Sequence, residues 1–291
     1  MPHRTVEPTM CDQDHFEEDL KKYSRRDMGT FAAAGIGAAM MLSRVANAAE
    51  VSEQDVEIET PDGKCDAYFV SPSAGTHAAV LIWPDIFGLR SAFRQMGKRL
   101  AESGYSVLVV NPFYRQQKAP TAANGANTSI ADVRPLARSL TPETHTTDAK
   151  AFVAWLDKQS QVDTSKPIGT TGYCMGGPIV FRTAAAVPDR IGAAATFHGG
   201  GLVSDGDDSP HRLIPKMKAD FLIAIAENDD QRDPEAKSVL KESFDEADLD
   251  SEIEVYPAGH GWCPPDTRVH NPEQAEKAWS RMLALFENAL V

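Results

Sequence analysis

Cysteine, aromatic residues and clustered positive charge are all scarce in this chain of 291 residues, which contains 4 cysteines and 8% aromatic residues. No Cys-x-x-Cys pair occurs, which disfavours a thiol redox protein because such a protein needs a second cysteine near the first. The formal net charge is −13, and there is no long run of lysine or arginine. Nucleic acids and anionic membrane surfaces are therefore poor partners, since neutralising phosphate requires clustered positive charge.

The rest of the composition is that of a globular protein. With 42% apolar and 24% charged residues, the chain can form one or two soluble domains with a large core. Beyond the N-terminal region, no apolar stretch is long enough to cross a membrane. We therefore expect no membrane partner once that region has been removed, and the sequence leaves the oligomeric state open.

Residues 1–48 differ in composition from the rest of the chain. Arg25 and Arg26 precede a weakly apolar Ala/Gly stretch at 29–42, and the small residues 46–48 follow it. This order is typical of a twin-arginine (Tat) export signal, which a receptor reads and a peptidase removes. A short cytosolic helix that happens to contain Arg-Arg is the alternative. We expect a signal peptide and a mature protein that is periplasmic or secreted.

From residue 51 onward, short apolar runs alternate with amphipathic stretches. A hairpin is predicted around the turn at 61–63. Further strands are predicted at 78–83, 105–110, 167–172, 191–197, 219–226 and 251–256, and helices at 91–103, 145–159, 175–187, 234–247 and 272–289. This alternation predicts an α/β fold, a doubly wound and mostly parallel sheet with helices on both faces, formed by one domain over 49–291. Residues 115–135 have loop composition, and we expect them to border a substrate site.

A candidate nucleophile follows the predicted strand 167–172. The run GYCMG at 172–176 has the G-x-nucleophile-x-G pattern of a nucleophile elbow, with Cys174 where serine is usual. A buried structural cysteine in a glycine-rich turn is the alternative. The position after a central strand favours the nucleophile, because open α/β sheets bind ligands at that edge. The HGGG run that begins at His198 comes after the nucleophile, so we interpret it as a strand-end turn.

A cysteine nucleophile needs a base and an acid that orients the base. In such folds they follow in the order nucleophile, acid, histidine. Asp230 comes just after the predicted strand 219–226, and His260 just after 251–256. Each residue alone is as easily explained by capping or turn formation, but their order and shared edge favour a triad with Cys174.

At these positions the sequence resembles the dienelactone hydrolase family, α/β-hydrolases that use cysteine. The matching stretches are WPDIFGLRSAFRQMGKRLAESGYSVLVVNPFYR (83–115), GTTGYCMGGPIVF (169–181), ENDDQRDP (227–234) and AGHGW (258–262), and the resemblance covers essentially all of 51–291. It implies an α/β-hydrolase fold and hydrolysis of a small ester or lactone through a thioester, with no cofactor or metal.

The resemblance also implies which residues carry the reaction. The triad is Cys174, Asp230 and His260, and the backbone N–H groups of Ile86 and Met175 form the oxyanion hole. Asp229 is the second choice of acid, because Asp230 stands at the family's usual distance before a proline.

Two departures from the family pattern bear on the substrate. Asp85 replaces the family's glutamate, which interacts with the resting thiol, and Pro264 replaces an arginine that binds the substrate carboxylate. Arg134 and Arg268 are candidate replacements without motif support. The other candidate substrate contacts are apolar or aromatic: Phe87, Tyr173 and Trp262. We therefore expect a small neutral lactone or short ester as substrate.

Other interpretations of the chemistry stay open. A zinc site could use Cys174, Asp230, His260 and Cys263, although it leaves the elbow unexplained. A catalytically silent, exported binding protein on a hydrolase scaffold is a second alternative, because fold does not dictate function. Cleavage after residue 48 removes Cys11, and if a disulfide then forms we expect Cys65 with Cys263.

Overall fold

The structure, a computed structural model, describes residues 49–291. The predicted signal peptide with Arg25, Arg26 and Cys11 lies outside the described residues. The strands are β1 (Val51–Thr60), β2 (Gly63–Pro72), β3 (Ala79–Trp83), β4 (Ser106–Val110), β5 (Ile168–Tyr173), β6 (Ile191–Phe197), β7 (Asp220–Ala226) and β8 (Ser251–Tyr256). The helices are α1 (Ser91–Glu102), α2 (Ile130–Arg138), α3 (Pro142–Leu156), α4 (Gly176–Ala186), α5 (Glu227–Arg232), α6 (Ala236–Glu246) and α7 (Pro272–Ala289), with a 3₁₀ helix at Pro210–Lys216.

All of the described strands join one sheet in the order β1-β2-β4-β3-β5-β6-β7-β8. The first two strands form the predicted antiparallel hairpin, in which Thr60 pairs with Gly63 across the turn. From β4 to β8 every neighbouring pair is parallel. The predicted doubly wound, mostly parallel α/β fold is confirmed, and it brings the C-terminal ends of β3, β5, β6, β7 and β8 to one edge of the sheet.

The sheet separates two hydrophobic cores, because successive side chains of a strand point to opposite faces. One core contains Leu81 and Phe152 and is covered by α3, α4 and α6. The other contains Val80 and Phe286 and is covered by α1 and α7. The central strands are buried on both sides, which explains why their sequences are continuous apolar runs.

The segment predicted as a loop at 115–135 is only partly irregular, because α2 begins at Ile130. The Ser129 hydroxyl caps this helix by accepting the N–H of Ala131 at 3.2 Å. Ile130 and Val133 are buried on its inner side. Pro135 lies inside the helix, and proline is a strong helix breaker in sequence patterns, so the periodicity was hidden.

The predicted disulfide between Cys65 and Cys263 is wrong. In the described part of the chain Cys65, Cys174 and Cys263 are all reduced. Cys65 belongs to the core that contains Leu81 and Phe152, whereas Cys263 belongs to the core on the opposite face of the sheet. The sheet itself therefore separates the two thiols. In residues 49–291 no helix is both long enough and apolar enough to span a membrane.

Candidate active site

The turn after β5 holds Cys174 in a strained conformation. Its φ is +52°, in the left-handed region that non-glycine residues rarely adopt. A Cβ added at Gly172 would lie 2.3 Å from the carbonyl oxygen of Gly176, and one at Gly176 would lie 2.4 Å from that of Trp83. The Cys174 N–H donates to Phe197 O at 3.0 Å. This is the nucleophile elbow predicted from the sequence, with both glycines required by close backbone packing.

Two backbone N–H groups beside the elbow are available to an oxyanion. The end of β3 packs against the start of α4, because Gly176 approaches the carbonyls of both Trp83 and Pro84. Ile86 follows in this turn, and Met175 follows the nucleophile. Within the part of the chain that the structure describes, neither Ile86 nor Met175 donates its N–H to a protein acceptor. The N-terminal end of α4 adds a positive dipole beside the Met175 N–H.

His260 follows β8, and its partner is Asp229 rather than Asp230. The Nδ1 atom of His260 lies 2.6 Å from Asp229 Oδ2. Asp230 Oδ1 instead accepts from Lys237 Nζ at 2.6 Å. The prediction of Asp230 as the orienting acid is therefore wrong. Both aspartates lie on α5, where adjacent residues point about 100° apart, so only one of them can face the imidazole.

The environment of His260 favours the imidazolium. Burial lowers the pKa of His260, but the charges of Asp229 and Cys174, together with the hydrogen bond to Asp229, raise it well above 6.5. Because Asp229 occupies Nδ1, the ring offers Nε2 to the thiol. Asp229, His260 and Cys174 thus lie in sequence, with the imidazole between the carboxylate and the thiol.

Asn228 is a site residue that sequence reasoning missed. Its Oδ1 accepts the backbone N–H of His260 at 2.9 Å, and its neighbour Glu227 donates its N–H to Ala258 O at 3.0 Å. Asn228 is buried. These bonds tie the segment after β7 to the segment after β8, and so set the distance between Asp229 and His260. Asn228 lies in the run 227–234 that carries the family resemblance. The sequence of this run does not show whether Asn228 is exposed or is buried and bonded to the backbone of His260.

His198 lies closer to the candidate site than its interpretation as a strand-end turn indicates. It does follow β6 in a strand-end turn, with φ +42°. Its ring is fully buried, with its centroid 5.2 Å from that of His260 and 4.9 Å from that of Trp262. Neither ring nitrogen has a hydrogen-bond partner among the described residues. Burial and the nearby His260 charge hold the pKa of His198 well below 6.5, so its ring is neutral.

Comparison with known proteins identifies the family of this chain. A sequence model of the Dienelactone hydrolase family matches residues 65–290. The chain belongs to the dienelactone hydrolase family. A carboxymethylenebutenolidase of Rhodococcus opacus is 28% identical over 227 residues, which are 76% of this chain and 84% of that protein.

Solved structures show the same fold. A Klebsiella pneumoniae protein provisionally named a dienelactone hydrolase has a TM-score of 0.72 at 22% identity, over 82% of this chain and 99% of that one. A dienelactone hydrolase of Anabaena variabilis has a TM-score of 0.61 at 16% identity, over 83% and 99% of the two chains. At these identities the likeness establishes the fold alone, which is the α/β-hydrolase fold.

Asp85, which stands where the dienelactone hydrolase family has its glutamate, is fully occupied. Its two carboxylate oxygens accept from Arg90 at 2.7 and 3.0 Å, and Oδ1 also accepts the N–H of Phe87 at 2.9 Å. The sequence left open whether Asp85 takes over the role of the family's glutamate. Its shorter side chain is held by the buried Arg90, a contact that no motif in the sequence indicates.

Several candidate substrate contacts lie elsewhere. Tyr173 stacks on Phe197 on the opposite face of the sheet from Cys174, and it lines a cavity between α1 and α7. Trp262 is fully buried and stacks on Tyr256. Both predictions of substrate contact are wrong, because strand alternation and core packing direct these rings away from the thiol. Phe87 does belong to the same core as Cys174.

The two candidate arginines differ in exposure and in their contacts. Arg268 is exposed, and its Nε donates to Ala126 O. Arg134 lies on α2 and is partly buried. Pro264 is buried at the position of the missing family arginine. The proposed zinc ligands are not assembled either, since Asp230 faces Lys237 and Cys263 belongs to the other core.

Proposed function

We propose that this protein hydrolyses a small lactone or short ester through a triad of Cys174, His260 and Asp229. The observation that carries the proposal is the geometry at the sheet edge. A cysteine at φ +52° on a nucleophile elbow interacts with a histidine whose Nδ1 lies 2.6 Å from a carboxylate. Membership of a hydrolase family supports the same reaction class.

The first half of the reaction is acyl transfer to sulfur. The Cys174 thiolate attacks the carbonyl carbon, and the carbonyl oxygen becomes an oxyanion that the N–H groups of Ile86 and Met175 stabilise. When this intermediate collapses, the C–O bond to the leaving alkoxide breaks. The alkoxide takes a proton from His260 Nε2, so a lactone ring opens and its acyl carbon remains bound to Cys174 as a thioester.

The second half restores the enzyme. His260, now neutral, removes a proton from water as the water oxygen attacks the thioester carbon. The same two N–H groups stabilise the new oxyanion, the C–S bond breaks, and the thiolate and imidazolium form again. Asp229 keeps the proton on Nδ1 throughout, so that Nε2 always faces the reaction.

The charges near the site favour a neutral substrate. Asp85 and Asp266 supply two carboxylates to one arginine, Arg90, which leaves no cation free in that cluster. Pro264 removes the family arginine that would bind a substrate carboxylate. A substrate anion buried here would lack a partner, and that desolvation costs several kcal/mol.

Hydrolysis of p-nitrophenyl acetate tests this proposal. Activity should be lost after alkylation with iodoacetamide and in the Cys174→Ala variant, and it should persist with EDTA. Cys65→Ala is the matched control, because it removes a buried thiol from the same core without touching the elbow. A folded Cys174→Ala protein that keeps most of the activity would refute the proposed nucleophile. Absence of turnover in the wild type across small esters and lactones would favour a binding protein instead.

A further inference from the structure

Arg90 is a buried guanidinium placed between two loops of the candidate site. Its side chain is 0% exposed. It bonds to both carboxylate oxygens of Asp85, to both of Asp266 at 2.7 and 2.8 Å, and to Gly88 O at 3.2 Å. A guanidinium has five N–H donors. Every donor of Arg90 is therefore used within the protein, in two paired carboxylate contacts of the strong, planar kind.

One side of this cluster shapes the oxyanion turn. Asp85 Oδ1 accepts the N–H of Phe87, and Asp85 O accepts the N–H of Gly88 at 2.9 Å. These bonds close a turn whose corner is Ile86. The direction of the Ile86 N–H therefore depends on Asp85, and the orientation of the Asp85 carboxylate depends on Arg90.

The other side holds the loop that carries the histidine. Asp266 Oδ2 also accepts the N–H of Gly125 at 3.0 Å. The next residue, Thr267, donates its hydroxyl to Gly261 O at 2.8 Å, directly after His260. Through its bonds to Asp85 and Asp266, Arg90 thus connects the turn that contains Ile86, the 121–128 segment and the His260 loop.

A buried ionic cluster often stabilises a core no more than apolar side chains of similar volume would, because desolvation offsets much of the attraction between its charges. Such a cluster does fix geometry, since each paired contact has one good orientation. The two carboxylates of this cluster come from chain segments that each supply a group to the proposed reaction.

We propose that Arg90 is a positioning residue that fixes the position of the Ile86 oxyanion donor relative to the His260 loop. This inference rests on the proposed function, because the relative position of the Ile86 N–H and His260 affects the rate only if both groups act on one carbonyl. Arg90 itself does not touch the substrate, since all its donors are occupied. Its loss should lower kcat far more than it changes KM.

The test uses the full chain and the variants Arg90→Lys and Asp266→Asn. A lysine ammonium cannot pair with two carboxylates through parallel contacts. Asp266→Asn is the milder change, because it leaves Arg90 paired one to one with Asp85. Arg94→Lys is the matched control, since Arg94 lies in the first turn of α1, just after Arg90, and pairs with exposed Asp55.

Initial rates with p-nitrophenyl acetate are divided by the concentration of folded Cys174 thiols, which is the total protein multiplied by the folded fraction from the denaturation curve of each variant. We expect kcat per thiol to fall about 10–100-fold in Arg90→Lys, somewhat less than the loss of an oxyanion donor. KM should stay within about threefold and Arg94→Lys should match the wild type.

The kcat per thiol of the double variant Arg90→Lys/Asp266→Asn should be no lower than that of Arg90→Lys alone, because both changes break one cluster. A normal kcat per thiol in Arg90→Lys and Asp266→Asn, or losses that multiply in the double variant, would overturn the inference.

Alkylation separates this inference from the proposed function. The rate at which iodoacetamide modifies Cys174 near pH 6 reports how well His260 stabilises the thiolate, and it needs no turnover. We expect Asp266→Asn to slow this rate at least about threefold, because it releases the His260 loop. If the wild type hydrolyses no ester or lactone, the proposed function fails, whatever the alkylation rates are. If the wild type is active but Asp266→Asn alkylates at the wild-type rate, the inference fails and the proposed function stands.

Discussion

The contact between Asp229 and His260 sets the direction of proton transfer in the proposed site. Asp229 Oδ2 holds Nδ1 at 2.6 Å, so the proton on Nδ1 is fixed and Nε2 faces the thiol. Asp229 Oδ1 also accepts from Arg232 at 3.1 Å, which orients the carboxylate. Asp230 plays no part in this series, since it pairs with Lys237.

The two aspartates give a matched pair of variants. Asp229→Asn should lower kcat for p-nitrophenyl acetate about 100-fold or more, because an amide can hold the wrong tautomer of His260. Asp230→Asn should stay within about twofold of the wild type, since partly exposed ion pairs contribute little. Steady-state kinetics of both variants decide the assignment. A larger loss in Asp230→Asn would mean that His260 changes partners during the reaction.

His198 provides a second prediction at this scale. Its neutral ring supports His260 through packing, with ring centroids 5.2 Å apart, while its two nitrogens lack partners among the described residues. His198→Phe keeps an aromatic ring and removes two buried polar atoms, so kcat should stay within about threefold and the unfolding free energy should not fall. His198→Ala should lower kcat about tenfold, because the cavity lets the His260 ring move. An inactive but stable His198→Phe protein would show that a nitrogen of His198 takes part in the chemistry.

At the scale of elements, the elbow depends on how closely β5, β3 and α4 approach each other. Gly172 and Gly176 lie where a Cβ would overlap backbone atoms rather than flexible side chains. The backbone cannot give way without moving Cys174 relative to the Ile86 turn. The same glycines therefore serve both the packing of the sheet edge and the placement of the nucleophile.

Gly172→Ala tests this dependence. The added methyl group should lower the unfolding free energy by about 1–3 kcal/mol, as over-packing does, and reduce kcat in the remaining folded protein. Gly201→Ala is the control. That glycine has φ +65° with nothing within 4 Å of an added Cβ, so it should cost about 1 kcal/mol and leave kcat unchanged. Chemical denaturation and kinetics of both proteins measure the difference. Normal activity in Gly172→Ala would show that the elbow tolerates a shift of α4.

At the scale of the whole molecule, charge opposes anionic substrates. The formal net charge is −13, and the Asp85, Arg90 and Asp266 cluster beside the site carries two negative groups for one positive group. Long-range repulsion and the lack of a local cation act in the same direction.

We therefore expect kcat/KM for a neutral lactone to equal or exceed that for an anionic dienelactone of similar size. Ring opening followed by absorbance measures both. A ratio above about 100 in favour of the anion, equivalent to about 2.7 kcal/mol of transition-state binding, would contradict this prediction. It would then implicate Arg134 or Arg268 as the cation, and alanine variants of each would identify which.

The proposed export signal is also a property of the whole chain. Replacing Arg25 and Arg26 together with lysine should leave unprocessed precursor in the cytosol of a bacterial host that has the Tat pathway, because the arginine pair is the recognised feature. Arg4→Lys is the control, since it changes an arginine outside the pair. Cell fractionation and precursor size on a gel give the result. Normal processing of the double variant would indicate a Sec signal or no signal.

The strands, most helices, the elbow and the position of His260 follow from the sequence by itself. Each depends on local information: the apolar runs of β3 to β7, the hairpin turn before Gly63, and glycines at fixed spacing around Cys174. Helix α2 was missed because Pro135 and the polar residues before it obscure a three-residue apolar pattern. Local patterns predict elements well when propensity and burial agree.

Only the tertiary structure decided which side chains meet. The choice between Asp229 and Asp230 depended on the rotation of α5, and the separation of Cys65 from Cys263 depended on the side of the sheet each faces. The partnership of Arg90 with Asp266 joins residues 176 positions apart. Contacts of this kind depend on the register and rotation of whole elements, where a shift of one residue moves a side chain to another face, so no local pattern in the sequence determines them.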